Sequence, residues 1–425
     1  MFRTFANTDR LVSTLFPDAA IMMHATTGSM TNRPTHRLLT RVDSIDVLRA
    51  LTMVLMIFVN DLGSLTAIPG WLEHVPAGVD GIGLADVVFP AFLFIVGLSA
   101  PFAIQHRRSR GDSDGQLVGH ILSRTVALLV MGLWLVNGEY IDEAVTGLKR
   151  VVWNVLACGS FILIWNSYPN TTAKPLVTGL KITGWLILLT LAIIYRGEAS
   201  GRFQPHWWGI LGLIGWSYLV GALATLIARD RIGLLTLIWL FFCALSMLAK
   251  ANLLPSAIRL IPDAISGGTL AGLTLGGALT ATVFRACLDR GQTQRMTIGF
   301  VIASLLLIGL SIYTHPIWVL AKLGATPAWL FLCSAFTLLA FTALHWLADI
   351  GGKGDWFRAL KPAGTDTLLC YLIPYFAYAV VVLAGLHLPA VLLTGGVGLV
   401  KSILFALLCV WAAGRLNQFG IRLKL

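Results

Sequence analysis

From about residue 45 to residue 413 the chain is a close succession of apolar runs, each near the length of a membrane-crossing helix. The hydrocarbon core of a bilayer is about 30 Å thick, and about 20 apolar residues in helical form span it. Lipid offers no hydrogen bonds, so a spanning segment must satisfy its own backbone, as a helix or within a closed barrel. The runs are continuous rather than alternating in polarity, which argues against a barrel. The expected fold class is therefore all-α, a polytopic transmembrane helical bundle. Spans are predicted near 45–62, 84–104, 119–137, 150–167, 175–195, 207–228, 232–249, 264–285, 296–314, 327–348, 366–386 and 391–413. That makes about twelve, or ten to eleven if poorly separated pairs merge. Residues 1–40 read as a flexible N-terminal segment with no apolar signal core, and residues 41–425 as a single transmembrane domain.

Composition agrees. Of the 425 residues, 57% are hydrophobic and 12% charged, against about 25% charged in soluble domains. This excludes an ordinary soluble enzyme and a disordered tail. The formal net charge of +11 would suggest nucleic acid for a soluble protein. Here the positive-inside bias of membrane proteins accounts for it, so the expected partner is the lipid bilayer and no nucleic acid. Lys and Arg concentrate on alternate loops, most densely in His106-Arg107-Arg108-Ser109-Arg110, which predicts both termini in the cytoplasm. The six cysteines lie in or beside apolar runs without C-x-x-C spacing, so neither a disulfide frame nor a zinc site is expected. No histidine pair has the spacing of metal ligands, so no metal is expected. Glycine-rich runs such as 267–277 read as close helix packing.

Polar groups in or beside such spans are costly, and each is a functional candidate. The densest group is the first outer loop with its flanks: Asn60, Asp61, Trp71, Glu73, His74 and Asp86. An imidazole, an amide and several carboxylates thus converge at one membrane face. Each has a plainer reading: Trp71 as an interfacial anchor, Asp86 as a helix cap, His74 as a solvated loop residue. On the opposite side, Asp46 and Arg49 lie three apart on one helix face and can pair. Lys181 and Lys401 lie deeper but have stems long enough to snorkel. Arg41, Arg49, Arg107, Arg108 and Arg124 are candidates for phosphate binding, and equally for simple cytoplasmic anchoring.

The order of several segments is informative. Asp43-Ser44-Ile45-Asp46-Val47-Leu48-Arg49-Ala50-Leu51, then Ile57-Phe58-Val59-Asn60, then His74, then Ala85-Asp86-Val87-Val88-Phe89-Pro90 resembles the heparan-α-glucosaminide N-acetyltransferase family and its bacterial DUF5009-type members. The likeness is strongest over about 41–170 and returns near 264–285 and 362–414. It implies transfer of an acetyl group from cytoplasmic acetyl-CoA to the amine of glucosamine or a related amino sugar at the outer face. On this resemblance His74 and Asn60 correspond to the catalytic residues, and Asp46 and Arg49 to the family's pair at the start of the first span.

Chemistry is compatible with that implication. Histidine suits general-base work near neutral pH, and a neutral amide can donate to a developing oxyanion. Direct transfer within a ternary complex and an acetyl-histidine route are both open. Asp61, Trp71, Glu73 and Asp86 are the expected substrate-binding residues. Arg41, Asp46, Arg49, Arg107, Arg108 and Arg124 are the expected acetyl-CoA contacts, with the pantetheine arm threading between the first four spans. A bacterial inner membrane is the expected location, and a homodimer is compatible with the reading. The alternative from a different class is a permease for a small solute or sugar, which many glycine-rich spans also suit.

Overall fold

The computed structural model describes residues 42–198 and 201–425. Arg41 and the expected N-terminal segment lie outside the described residues. Twelve principal helices follow one another: α1 Asp43–Asp61, α2 Leu84–Ser109, α3 Asp114–Glu139, α4 Arg150–Trp165, α5 Lys174–Ile194, α6 Ile210–Ala228, α7 Ile232–Lys250, α8 Thr269–Asp289, α9 Thr293–Thr314, α10 Pro327–Leu344, α11 Thr367–Leu383 and α12 Gly395–Gln418. Each lies on one of the apolar runs.

Among the described residues, nine helices are long and apolar enough to cross a membrane. A tenth span results if α11 is joined to the preceding segment Gly354–Thr365, from which it bends by 77°. The other two differ for physical reasons. The 19 residues of α1 carry Asp43, Asp46, Arg49 and Asp61, and α4 is only 16 residues long. These helices identify an integral membrane protein.

Contacts between connections sort them onto two faces. On one, Thr66 pairs with Thr394 and Ile141 with Gly197, and the loop before α2 meets the loop after α9. On the other, Asn166 pairs with Leu423, and Asp114 and Asp230 bind Arg229 and Arg285 respectively. His74 belongs to the first of these, here termed the loop face.

The centre of the bundle is α2 against α8. A Cβ on Gly97 would lie 1.7 Å from the Thr274 carbonyl oxygen, and one on Gly277 would lie 1.9 Å from that of Phe94. Glycine at both positions lets the two backbones touch, the role expected of the 267–277 run. By contrast, α5, α7 and α9 are largely unburied and expose rows such as Leu186, Leu189 and Ile193 or Leu305, Leu306 and Ile312, as lipid-facing helices do.

Helix ends reflect local chemistry. The third helix begins at Asp114, earlier than the predicted 119, because Ser113 and Gln116 form a reciprocal capping box. Arg124 consequently sits ten residues into α3, about 15 Å along its axis at about 1.5 Å per residue, rather than at its mouth. The second helix runs on to Ser109, so that His106, Arg107 and Arg108 occupy its last turn, where positive charge is favoured by the helix dipole.

Candidate active site

The first turn of α2 positions the imidazole. Asp86 is only 2% exposed, and one of its oxygens, Oδ2, accepts the backbone N–H groups of Gly83 (3.1 Å) and Val75 (3.0 Å). It thereby caps the helix, as the sequence suggested, and ties the incoming loop to it. The other oxygen, Oδ1, lies 2.8 Å from His74 Nδ1. Gly83 makes the loop possible: a Cβ there would stand 1.9 Å from the Glu73 carbonyl oxygen. The indole N–H of fully buried Trp329 donates to the Asp86 carbonyl at 3.0 Å, fixing the helix end from α10.

The short contact to the carboxylate favours one tautomer. With Asp86 ionised, His74 donates its Nδ1–H to Oδ1, and Nε2 carries the lone pair. A buried carboxylate behind an imidazole is the arrangement that orients histidine as a base in acyl transfer. The ring itself is 47% exposed on the loop face, and Lys322 Nζ lies 3.5 Å from its Nε2.

A third group completes the cluster. Lys322, between α9 and α10, places Nζ 3.1 Å from His74 Nδ1 and 3.8 Å from Asp86 Oδ1. Burial pushes the Lys322 ammonium below the ordinary lysine range, against the opposing pull of the Asp86 charge. Lys322 lies 248 residues from His74 in the sequence, with no motif around it.

The Lys322 loop is itself clipped to the His74 loop. His315 Nε2 lies 2.8 Å from both oxygens of Asp80. Asp80 also accepts the Leu320 N–H at 2.9 Å, and the Gly81 N–H donates to the Leu320 carbonyl at 2.9 Å. The His315 contact and the Leu320 N–H hold the Asp80 carboxyl below its usual range.

Other predicted residues are placed differently. Asn60, at the end of α1, lines a cavity of about 480 Å³ shared with α3, α4, α6 and α11. Among the described residues no hydrogen bond joins it to His74. Asp61 is 4% exposed, and both its oxygens are engaged within the chain: by Tyr378 at 2.9 Å, and by Lys401 and Ser402 at 2.6 Å each. These contacts make Asp61 one half of a buried ion pair, and Lys401 reaches toward the loop face to meet it and Ser64 Oγ at 3.4 Å. Trp71 is 67% exposed on the loop, and Glu73 is exposed beside it.

On the opposite face, Arg49 does pair with Asp46, at 3.1 Å, and also donates to Ser99 and to the Gly364 carbonyl. Those bonds lock α1 to α2 and to the short helix Lys361–Thr365, leaving less of Arg49 for a phosphate. Arg107 and Arg108 pair with Asp112 and Asp114 in the connecting hairpin. Arg124 lies over the Tyr218 ring at 4.6 Å, and among the described residues its buried Nε has no hydrogen-bond partner. Among the described residues no cluster of His, Cys, Asp and Glu is arranged to hold a metal ion.

Residues 41–262 match the family described as Domain of unknown function (DUF5009). The chain is also 35% identical over 100 residues to the heparan-alpha-glucosaminide N-acetyltransferase of Homo sapiens, and equally to that of Mus musculus. The aligned stretch covers 24% of this chain and 14% of each relative.

Proposed function

The chain belongs to the DUF5009 family, and from that premise we propose that it is a membrane-bound acetyltransferase that uses acetyl-CoA to acetylate the amine of glucosamine or a related amino sugar. The observation that carries the proposal is the His74–Asp86 pair, a half-exposed imidazole held by a buried carboxylate. The name of the curated relatives supports the reaction class.

Acetyl-CoA supplies the acetyl thioester. In the proposed reaction His74 Nε2 accepts a proton from the amine as its nitrogen attacks the thioester carbonyl. Asp86 holds the imidazolium so formed, its carboxylate braced by the Val75 and Gly83 N–H groups with the Lys322 ammonium nearby. The Asn60 amide donates to the oxygen of that carbonyl as negative charge develops there. The new C–N bond is retained, the C–S bond breaks, and the imidazolium returns its proton to the leaving sulfur. Toward the opposite face Arg124, ten residues into α3 and paired with no carboxylate among the described residues, is the arginine proposed to meet a phosphate. Arg107 and Arg108 would first have to leave their aspartates. The proposed orientation places both termini in the cytoplasm and the loop face outside, in a bacterial inner membrane.

The test is release of free thiol from acetyl-CoA by the purified protein with glucosamine, together with detection of N-acetylglucosamine. Thiol release that depends on the sugar supports the proposal. Sugar flux across vesicles without thiol release would instead establish a permease.

A further inference from the structure

The cavity beside Asn60 contains polar groups that the fold does not use. It opens among the loop-face ends of α1, α3, α4, α6 and α11 and is lined by Asn60, Glu139, Arg150, Asn154, Tyr371 and Tyr375, among others. Among the described residues, no hydrogen bond engages the side chains of Asn60, Glu139, Arg150 or Asn154. Asn60, Glu139 and Arg150 are exposed and Asn154 partly so, with Glu139 and Arg150 of opposite charge facing the same space, so their donors and acceptors are open to a ligand that enters the cavity. The tyrosines arise from helical spacing. Residues 371, 375 and 378 fall on one face of α11, and the rings of Tyr371 and Tyr375 stand 6.0 Å apart at 65°.

We propose that this cavity seats the sugar ring of the amino-sugar acceptor. The inference rests on the acetyltransferase reading and gives it a substrate site. At about 480 Å³, the space falls within the range of small-molecule pockets, about 300–1,000 Å³. Its chemistry selects the ligand class. Two amides and a carboxylate offer both donors and acceptors to hydroxyl groups, while tyrosine rings cover the apolar face of a pyranose. The lining holds one cation, Arg150, with the Glu139 carboxylate sharing the same space, which disfavours a phosphate-bearing ligand. An acyl chain would leave the amides and the carboxylate unpaired. Glu139 adds a preference within sugars, because its negative charge favours an amine that is protonated on binding, and its carboxylate takes that first proton so that the neutral amine can attack. Acetylation removes the positive charge and weakens the product's hold. Asn60 lines the same space, so a seated sugar lies against the amide assigned to the oxyanion.

The experiment is equilibrium binding of glucosamine and of N-acetylglucosamine to the purified full chain and to Glu139→Gln and Tyr375→Ala variants. The acetyl-CoA-dependent rise in Tm and the thiol assay are measured on the same samples. Wild type is expected to prefer glucosamine by about tenfold, the ratio that one charge-assisted hydrogen bond sustains. Glu139→Gln should reduce that preference below about twofold and keep the acetyl-CoA response. Tyr375→Ala should weaken both sugars alike. Absence of saturable glucosamine binding to wild type, or an unchanged preference in Glu139→Gln, overturns the assignment. Sugar binding without thiol release would sink the acetyltransferase reading while leaving the pocket standing. Thiol release with an unaltered sugar preference in Glu139→Gln would do the reverse.

Discussion

His74 Nδ1 and Asp86 Oδ1 are 2.8 Å apart, with the carboxylate almost wholly buried and the imidazole half open to the loop face. The burial difference gives each group its task. Asp86 cannot reorient, so the ring it holds presents Nε2 outward.

Asp86→Asn tests that relation. An asparagine can still accept the Gly83 or Val75 N–H, so most of the cap survives, at a loss of about 1 kcal/mol. Its amide can donate toward Nδ1, which favours the wrong tautomer. Thiol release should fall by about a hundredfold or more, with little change in Tm. Parallel rate and melting measurements check this.

Lys322 should shape the alkaline side of the rate profile. Because burial depresses its affinity for a proton, it loses its charge at a lower pH than an ordinary lysine, whose value is about 10.4. The Asp86 carboxylate then loses its cationic neighbour. The wild-type rate is expected to decline on that alkaline limb, and Lys322→Gln should show a lower plateau without the limb. A pH–rate series on both proteins measures it.

The Asp80–His315 clip has a definite pH sign. The folded-state carboxyl of Asp80 binds its proton less readily than in the unfolded chain. Its stabilising effect is therefore fully present above the ordinary aspartate range, near pH 4, and is lost as pH falls through the lower folded value. Asp80→Asn should reduce Tm at pH 7, and the gap to wild type should close in acid. The same variant should slow thiol release, because the clip anchors the loop that carries Lys322.

The buried Asp61–Lys401 pair predicts a strong effect of a single replacement. Lys401→Met leaves a carboxylate in the bundle with only Tyr378 and Ser402 as partners. Removing one partner of a buried pair costs about 3–5 kcal/mol. The double variant Asp61→Asn with Lys401→Met should recover part of that loss. Thermal unfolding in detergent compares them.

Apolar runs made the helices legible, since each twenty-residue stretch has one way to satisfy its backbone in lipid. Boundaries set by capping, as at Ser113, and the bend before Thr367 were not, because they depend on single side chains. The loop bearing His74 stood out through its density of polar residues, and Asp86 was visible as a cap. That the same carboxylate also holds the imidazole required the fold of residues 74–86. Lys322 and His315 arrive from more than 230 residues away, and no local pattern announces such a meeting. Asp61 shows the same limit: its partners Tyr378, Lys401 and Ser402 lie on α11 and α12, out of sight of the local pattern around Asn60. Asn154 likewise entered no motif, and only the cavity brings it and Glu139 together with Asn60.

The most direct measurement is thiol release from acetyl-CoA by His74→Ala, compared with wild type in the presence of glucosamine, using protein whose acetyl-CoA-dependent rise in Tm is intact. The account predicts a wild-type rate that depends on the sugar and its loss in the variant. A His74→Ala protein that releases thiol and forms N-acetylglucosamine at the wild-type rate would contradict it.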